Sequence, residues 1–260
     1  LGPTAQSAIV ATVNYFTADG KGAPLVLLHG GLSDSSAWML QFPALTTCFR
    51  WYAFDRRGHG QTRDTDEPFH YEDMALETIS FIERAVGEPA HLVGWSDGGI
   101  VALLVSMRRP DLVRRQVLIG ANFHHDGLLP GFDTGDDPEA PDLLMIRSMY
   151  NAIALDPARW PVFYEKSMAM WRSEPTMTVD DLRGVTVPTL VLVGDDDCIH
   201  HSHTVELFEN IPEAQLAVVP GTSHMLQIEK PALVNQLIIE FLDTDEPPDT
   251  LFPMRRAHLD

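Results

Sequence analysis

The chain has 260 residues, enough for one large α/β domain with an insertion, and its 45% hydrophobic and 21% charged residues can build and solubilise a core. A formal charge of −19, from 37 acidic against 18 basic side chains, repels nucleic acid and anionic membrane and makes neither an expected partner. Two cysteines, Cys48 and Cys198, give no disulfide framework and are expected to be free and buried. No apolar run approaches the ~18 residues of a membrane span, and no basic-plus-apolar signal layout opens the chain, so a cytoplasmic location is expected.

Residues 9–16 alternate loosely and run into Asp19-Gly20-Lys21-Gly22, which predicts an early hairpin strand. The continuous apolar run 24–28 reads as a strand buried on both faces, and it empties into His29-Gly30-Gly31-Leu32-Ser33-Asp34. A helix is expected over 36–45 and a strand over 51–54, closed by Asp55-Arg56-Arg57-Gly58-His59-Gly60. The apolar spacing of Met74, Leu76, Ile79, Phe81, Ile82 and Val86 predicts a helix over 71–86. Then Leu92-Val93 leads into Gly94-Trp95-Ser96-Asp97-Gly98, followed at once by the helical run 98–109, which Pro110 stops. Gly-x-Ser-x-Gly between a buried strand and a helix is the pattern of a sharp turn that holds a serine hydroxyl at a helix N-terminus.

Residues 117–120 predict another buried strand. From 123 to 184 the rhythm changes. Gly, Pro and Asp crowd 126–142, two helical stretches are expected at 142–155 and 158–172, and no strand pattern intervenes. This block, rich in Met145, Met149, Tyr150, Phe163, Tyr164, Met168, Met170 and Trp171, reads as a helical cap inserted in the domain. Strands follow at 187–193 and 215–219 and helices at 204–210 and 231–242, with the loop Pro220-Gly221-Thr222-Ser223-His224 between. The core is therefore assigned to 1–122 and 185–243, the cap to 123–184, and an extended proline-bearing tail to 244–260. Alternating strands and helices imply a mostly parallel sheet covered on both faces.

In such sheets sites form where loops leave the carboxyl ends of strands. A serine needs a base to take its proton and a carboxylate to hold that base in the right tautomer. Ser96, His224 on the loop after the last strand, and an acid among Asp195, Asp196 and Asp197 supply those three groups in the order Ser…Asp…His.

His29-Gly30-Gly31, the 55–60 turn, Gly94-Trp95-Ser96-Asp97-Gly98-Gly99, Gly194-Asp195-Asp196-Asp197 and Gly221-Thr222-Ser223-His224 together resemble, in order, five landmarks of the α/β-hydrolase superfamily. The resemblance runs over about residues 9–243. It implies the α/β-hydrolase fold with a small cap after the sixth strand, no cofactor, and a catalytic triad of Ser96, Asp197 and His224. The family's Gly-x-x-Asp spacing is what selects Asp197. It also implies an oxyanion hole from the backbone N–H groups of Asp97 and Gly31, with Leu32 the alternative to Gly31, and structural turns for His29 and His59. The elbow further resembles that of valacyclovir-hydrolase-like (biphenyl-hydrolase-like) esterases.

The expected reaction is hydrolysis of a small to medium carboxylic ester through an acyl-enzyme. C–C bond hydrolase, lactonase, acyltransferase and cofactor-free perhydrolase chemistries share the triad, and a ligand receptor without turnover is the reading from another class. Leu32, Trp95, Asp97, His124, Met145 and Met149 are the candidate substrate contacts; an Asp97 carboxylate facing the pocket would favour substrates carrying an amine. His124, His125 and Asp126, and separately His200, His201 and His203 beside Asp195 to Asp197, match no zinc spacing, so no metal is expected.

Overall fold

The computed structural model describes residues 14–130, 140–244, 250–252 and 254. The expected strand start at residue 9, part of the Gly/Pro/Asp-rich stretch and most of the 244–260 tail lie outside the described residues. Among the described residues seven strands form one sheet in the order β1-β3-β2-β4-β5-β6-β7. They are β1 (Phe16–Gly20), β2 (Ala23–Leu28), β3 (Phe49–Phe54), β4 (Ala90–Trp95), β5 (Val113–Ile119), β6 (Thr189–Asp196) and β7 (Ala214–Ser223). All neighbours run parallel except β1, which lies antiparallel to β3.

The unbroken apolar runs are explained by two buried faces. Val26, Leu28, Leu92, Leu118 and Val191 join the core on one side of the sheet. Leu25, Leu27, Val93, Val117, Ile119, Leu190 and Leu192 join the core on the other, as the two-residue period of a strand requires. The helices α2 (Tyr71–Phe81) and α3 (Asp97–Arg108) cover the first face, and α9 (Pro231–Leu242) covers the second through Val234, Ile238, Phe241 and Leu242.

Several local expectations are corrected. The early strand is no hairpin partner of β2, because β3 lies between them. The turn crosses over the start of β3, and two left-handed glycines make this possible. A β-carbon on Gly20 (φ 88) would lie 2.1 Å from the Phe49 carbonyl oxygen, and one on Gly22 (φ 108) 2.5 Å from that of Cys48. The helix expected over 36–45 is two pieces, a 3-10 turn Ser35–Trp38 and the single α-turn α1 (Phe42–Leu45). Pro43 has no N–H to give residue 39, so one continuous helix cannot run through it. The strand β7 extends through the segment read as the 220–223 loop, and two short helices, α6 (Val179–Arg183) and α8 (Leu226–Glu229), went unanticipated. Cys48 and Cys198 are free, but half-buried rather than buried.

Between β5 and β6 the described residues hold α4 (Pro141–Ile153), α5 (Trp160–Trp171) and α6, with nothing of strand type longer than a single bridge. This block follows the fifth described strand. Asp64 ties it to the loop after β3, accepting from Lys166 at 2.8 Å, Arg159 at 3.1 Å and Arg57 at 3.0 Å. Glu174 adds a bond to the His70 ring at 2.6 Å and accepts the Tyr71 backbone N–H at 3.0 Å. The helix α7 (His201–Asn210) follows β6. No helix among the described residues is long and apolar enough to cross a membrane.

Candidate active site

Every residue of β4 is buried, and the chain must turn from its end straight into α3. Ser96 makes that turn at φ 54, ψ −121, a conformation L-residues rarely adopt. Its flanking glycines are required by space. A β-carbon on Gly94 would lie 2.1 Å from the Gly98 carbonyl oxygen, and one on Gly98 2.0 Å from that of Leu28. The strain costs about 1–3 kcal/mol. Full burial of Ile100, Val101, Leu103 and Val105 on the helix that the turn launches returns about 1.5–3 kcal/mol each, so packing decides the geometry. The backbone of Ser96 is held on both sides: its N–H donates to Ile119 at 2.8 Å, and its carbonyl accepts from Gly99 at 2.8 Å and Ile100 at 3.1 Å.

His224 and Asp197 meet at the ends of β7 and β6, whose register pairs Ser223 with Asp196. His224 Nδ1 lies 2.8 Å from Asp197 Oδ1, which also accepts the Ile199 backbone N–H at 3.1 Å. The three adjacent acids are thereby sorted. Asp197 is buried, whereas Asp195 and Asp196 are exposed and Asp195 accepts the Thr222 N–H at 3.0 Å, a bond that fastens the turn. Burial pushes the Asp197 carboxyl up more than any single partner pulls it down, but the bond and charge of His224 together with the Ile199 N–H and Cys198 hold it below the usual carboxylate range. Burial alone would lower His224; the Asp197 carboxylate and the neighbouring Cys198 raise it above the ordinary imidazole value. Trp95 donates its indole N–H to the His224 carbonyl at 2.8 Å and is otherwise buried in the core under the sheet, so it braces the histidine loop.

The 29–34 loop is stiffened from below by Arg56, which is fully buried and donates to the carbonyls of His29 at 2.6 Å and Gly30 at 3.2 Å. His29 and His59 sit in the same knot with ring centroids 4.9 Å apart. Burial, with Arg56 nearby, takes His59 down to about 3 and His29 well below its ordinary value, so both stay neutral. Leu32 adopts φ 52, and its side chain is buried with the α2–α3 core. Gly31 is pinned between Asp97 and the α5 residue Trp171: a β-carbon there would lie 2.3 Å from Trp171 Cζ2 and 2.6 Å from Asp97 Oδ2.

Asp97, the candidate contact for amine-bearing substrates, is bonded within the protein. Its carboxylate is 4% exposed and already committed. Tyr71 donates its hydroxyl to Oδ1 at 2.7 Å, and the Trp171 indole N–H reaches both oxygens at 3.0 and 3.2 Å. Burial raises the Asp97 carboxyl, against the opposing field of Arg56 and these two bonds. The side chain therefore joins α2, α3 and α5.

The remaining candidate contacts scatter. Met145 and Met149 on α4 are more than half exposed. The His124 ring lies 4.4 Å from that of His125 and close to the Asp126 carboxylate, and its backbone bridges Thr176. Nearby, His203 Nε2 accepts the Phe123 backbone N–H at 3.1 Å, and burial takes this histidine down to about 4. Tyr71, Arg56 and Trp171 escaped the sequence reading as site residues. Asp97 lies 26 positions from Tyr71 and 74 from Trp171, and no local spacing reports such partners.

With this geometry in place, the chain matches the model of the alpha/beta hydrolase family over residues 25–237. It is 29% identical to a 2-hydroxymuconate semialdehyde hydrolase of Pseudomonas sp. strain CF600, across 86% of this chain and 88% of that protein. Against carboxylesterase YbfK of Bacillus subtilis strain 168 the figures are 28%, 85% and 81%. Among solved structures, a meta-cleavage product hydrolase from Pseudomonas fluorescens superposes with a TM-score of 0.79 at 26% identity, covering 90% of this chain and 95% of that one.

Proposed function

The chain belongs to the α/β-hydrolase family, and on that premise we propose that it is a serine hydrolase of small to medium carboxylic esters. One observation carries the reading: a serine held at φ 54 on a strand–helix turn, beside loops that carry a hydrogen-bonded histidine–aspartate pair. Ser96 Oγ attacks the ester carbonyl as His224 Nε2 takes its proton. Asp197 keeps the other ring proton on Nδ1 and stabilises the imidazolium. The N–H groups of Asp97 and Gly31 receive the oxyanion. Asp97 opens α3, where the first N–H groups have no intrahelical acceptor. The alcohol leaves with the proton from His224, and a water activated by the same histidine releases the acid. The 123–184 block serves as the cap, with Trp171 as the apolar wall over the oxyanion loop.

Replacing Ser96 by Ala is expected to abolish ester turnover and labelling by a fluorophosphonate; retention of both would refute the assignment. A second reading, C–C bond hydrolysis by the same triad, is favoured by the likeness to the 2-hydroxymuconate semialdehyde and meta-cleavage product hydrolases. Rates on 2-hydroxymuconate semialdehyde and on a panel of p-nitrophenyl esters, measured side by side, separate the two.

A further inference from the structure

We propose that Cys198 turns the Asp197–His224 pair into a chelating site for a thiophilic divalent cation of the zinc class, which reversibly shuts the active centre. Asp197, Cys198 and His224 each bring a ligand atom within 4.8 Å of the other two. Carboxylate oxygen, thiolate sulfur and imidazole nitrogen are a zinc donor set, and zinc's bond lengths place such atoms about 3.5 Å apart, so side-chain adjustments of about an ångström close the site. A second observation points the same way. Asp197 Oδ1 is occupied by His224 and Ile199, but Oδ2 is buried with no hydrogen-bond partner among the described residues. A buried carboxylate oxygen left unpaired is costly, and a cation would satisfy it. Backbone bonds fix the loop in place: the Cys198 carbonyl accepts from Leu129 at 2.8 Å, and Leu128 bridges Ile199. Cys198 is half-buried and the His224 side chain is 15% exposed, so two of the three donors reach solvent.

The ionic balance is simple. Coordination releases the Cys198 thiol proton to solvent, and the ring proton of His224 moves from Nδ1 to Nε2 as Nδ1 binds the metal; nothing is oxidised or reduced. With Nε2 protonated, His224 can no longer accept a proton from Ser96. The inhibitory arm rests on the proposed triad; the binding arm does not.

The test titrates the full chain with ZnCl2 by calorimetry and follows p-nitrophenyl ester hydrolysis in parallel. Saturable binding of one ion at the triad, inhibition reversed by EDTA, and no response to Mg²⁺, a hard cation that prefers oxygen ligands, are expected. Cys198→Ser and Cys198→Ala should weaken binding and inhibition at least about tenfold. An H125A/D126A variant, which dismantles the other donor cluster at His124, His125 and Asp126, should bind and respond at the triad as the parent does. Absence of saturable binding would overturn the proposal. So would binding untouched by both Cys198 variants, or binding lost only in H125A/D126A. If the parent hydrolyses no ester, the triad reading fails, while the calorimetric arm still decides the metal site.

Discussion

At Ser96 a single backbone angle carries both the strain and the proposed nucleophile, and the two can be separated by mutation. Alanine removes the hydroxyl but keeps a β-carbon at φ 54, whereas glycine removes both. Ser96→Gly is therefore expected to be more stable than Ser96→Ala by about 1 kcal/mol in chemical denaturation, although both are inactive. Equal stabilities would show that the turn is not strained. Asp97 shows the limit of reading residues singly. A carboxylate beside a nucleophile suggests a cation-binding function in the sequence, yet its bonds to Tyr71 and Trp171 make it a joint between helices. Gly31 fits the same joint, because any side chain there would collide with Trp171 and Asp97.

At the scale of elements, the helices between β5 and β6 join the core through buried Tyr150, Trp160, Phe163 and Met170, and Asp64 is the most connected polar fastener among the described residues. Its carboxylate is 6% exposed and meets Arg57, Arg159 and Lys166 together. Removing it leaves the largely buried Arg57 and Lys166 without their shared carboxylate. Asp64→Ala is expected to cost about 2–4 kcal/mol and to speed amide exchange in α5 far more than in β4. Unchanged protection of α5 would contradict the fastening. The same helix carries Trp171 at its end, so a loosened α5 is also expected to raise KM for the ester more than it lowers kcat. Its sequence was readable as a helix from apolar spacing, but the side it turns to the core, and hence its touch on Asp97, was not.

For the molecule as a whole, two histidines buried near the carboxyl ends of β2 and β3 set an acid limit on stability. His29 and His59 are held neutral by burial, His59 at about 3, while in the unfolded chain both titrate near 6.5. Between those values the unfolded state binds more protons, so stability falls as pH falls. From pH 7.5 to 5.5 His59 is expected to cost about 1.4 kcal/mol, and His29 acts in the same direction. His59→Phe keeps a ring against Phe69 and Phe163 and should remove about 1.4 kcal/mol of the loss over this range; an undiminished loss in the variant would place its origin elsewhere.

The sequence by itself determined the class of fold and the order of its landmarks. A sheet buried on both faces needs unbroken apolar strands, and a strand-to-helix turn this tight needs glycines at 94 and 98. Both demands are local and leave a local mark. It also placed Ser96, a histidine and an acid at the carboxyl ends of strands, though only the burial of Asp197 and the bond at 2.8 Å separate it from Asp195 and Asp196 by contact rather than by family spacing. The tertiary structure alone decided which partners Asp97 bonds, how the block after β5 is fastened, that β1 steps over β3, and that Cys198 stands beside the histidine–aspartate pair, where one carboxylate oxygen has no hydrogen-bond partner among the described residues. Those outcomes depend on residues far apart in the chain arriving at one place. Hydrophobic period and turn chemistry act over a few residues, whereas such meetings are fixed by how whole elements cross.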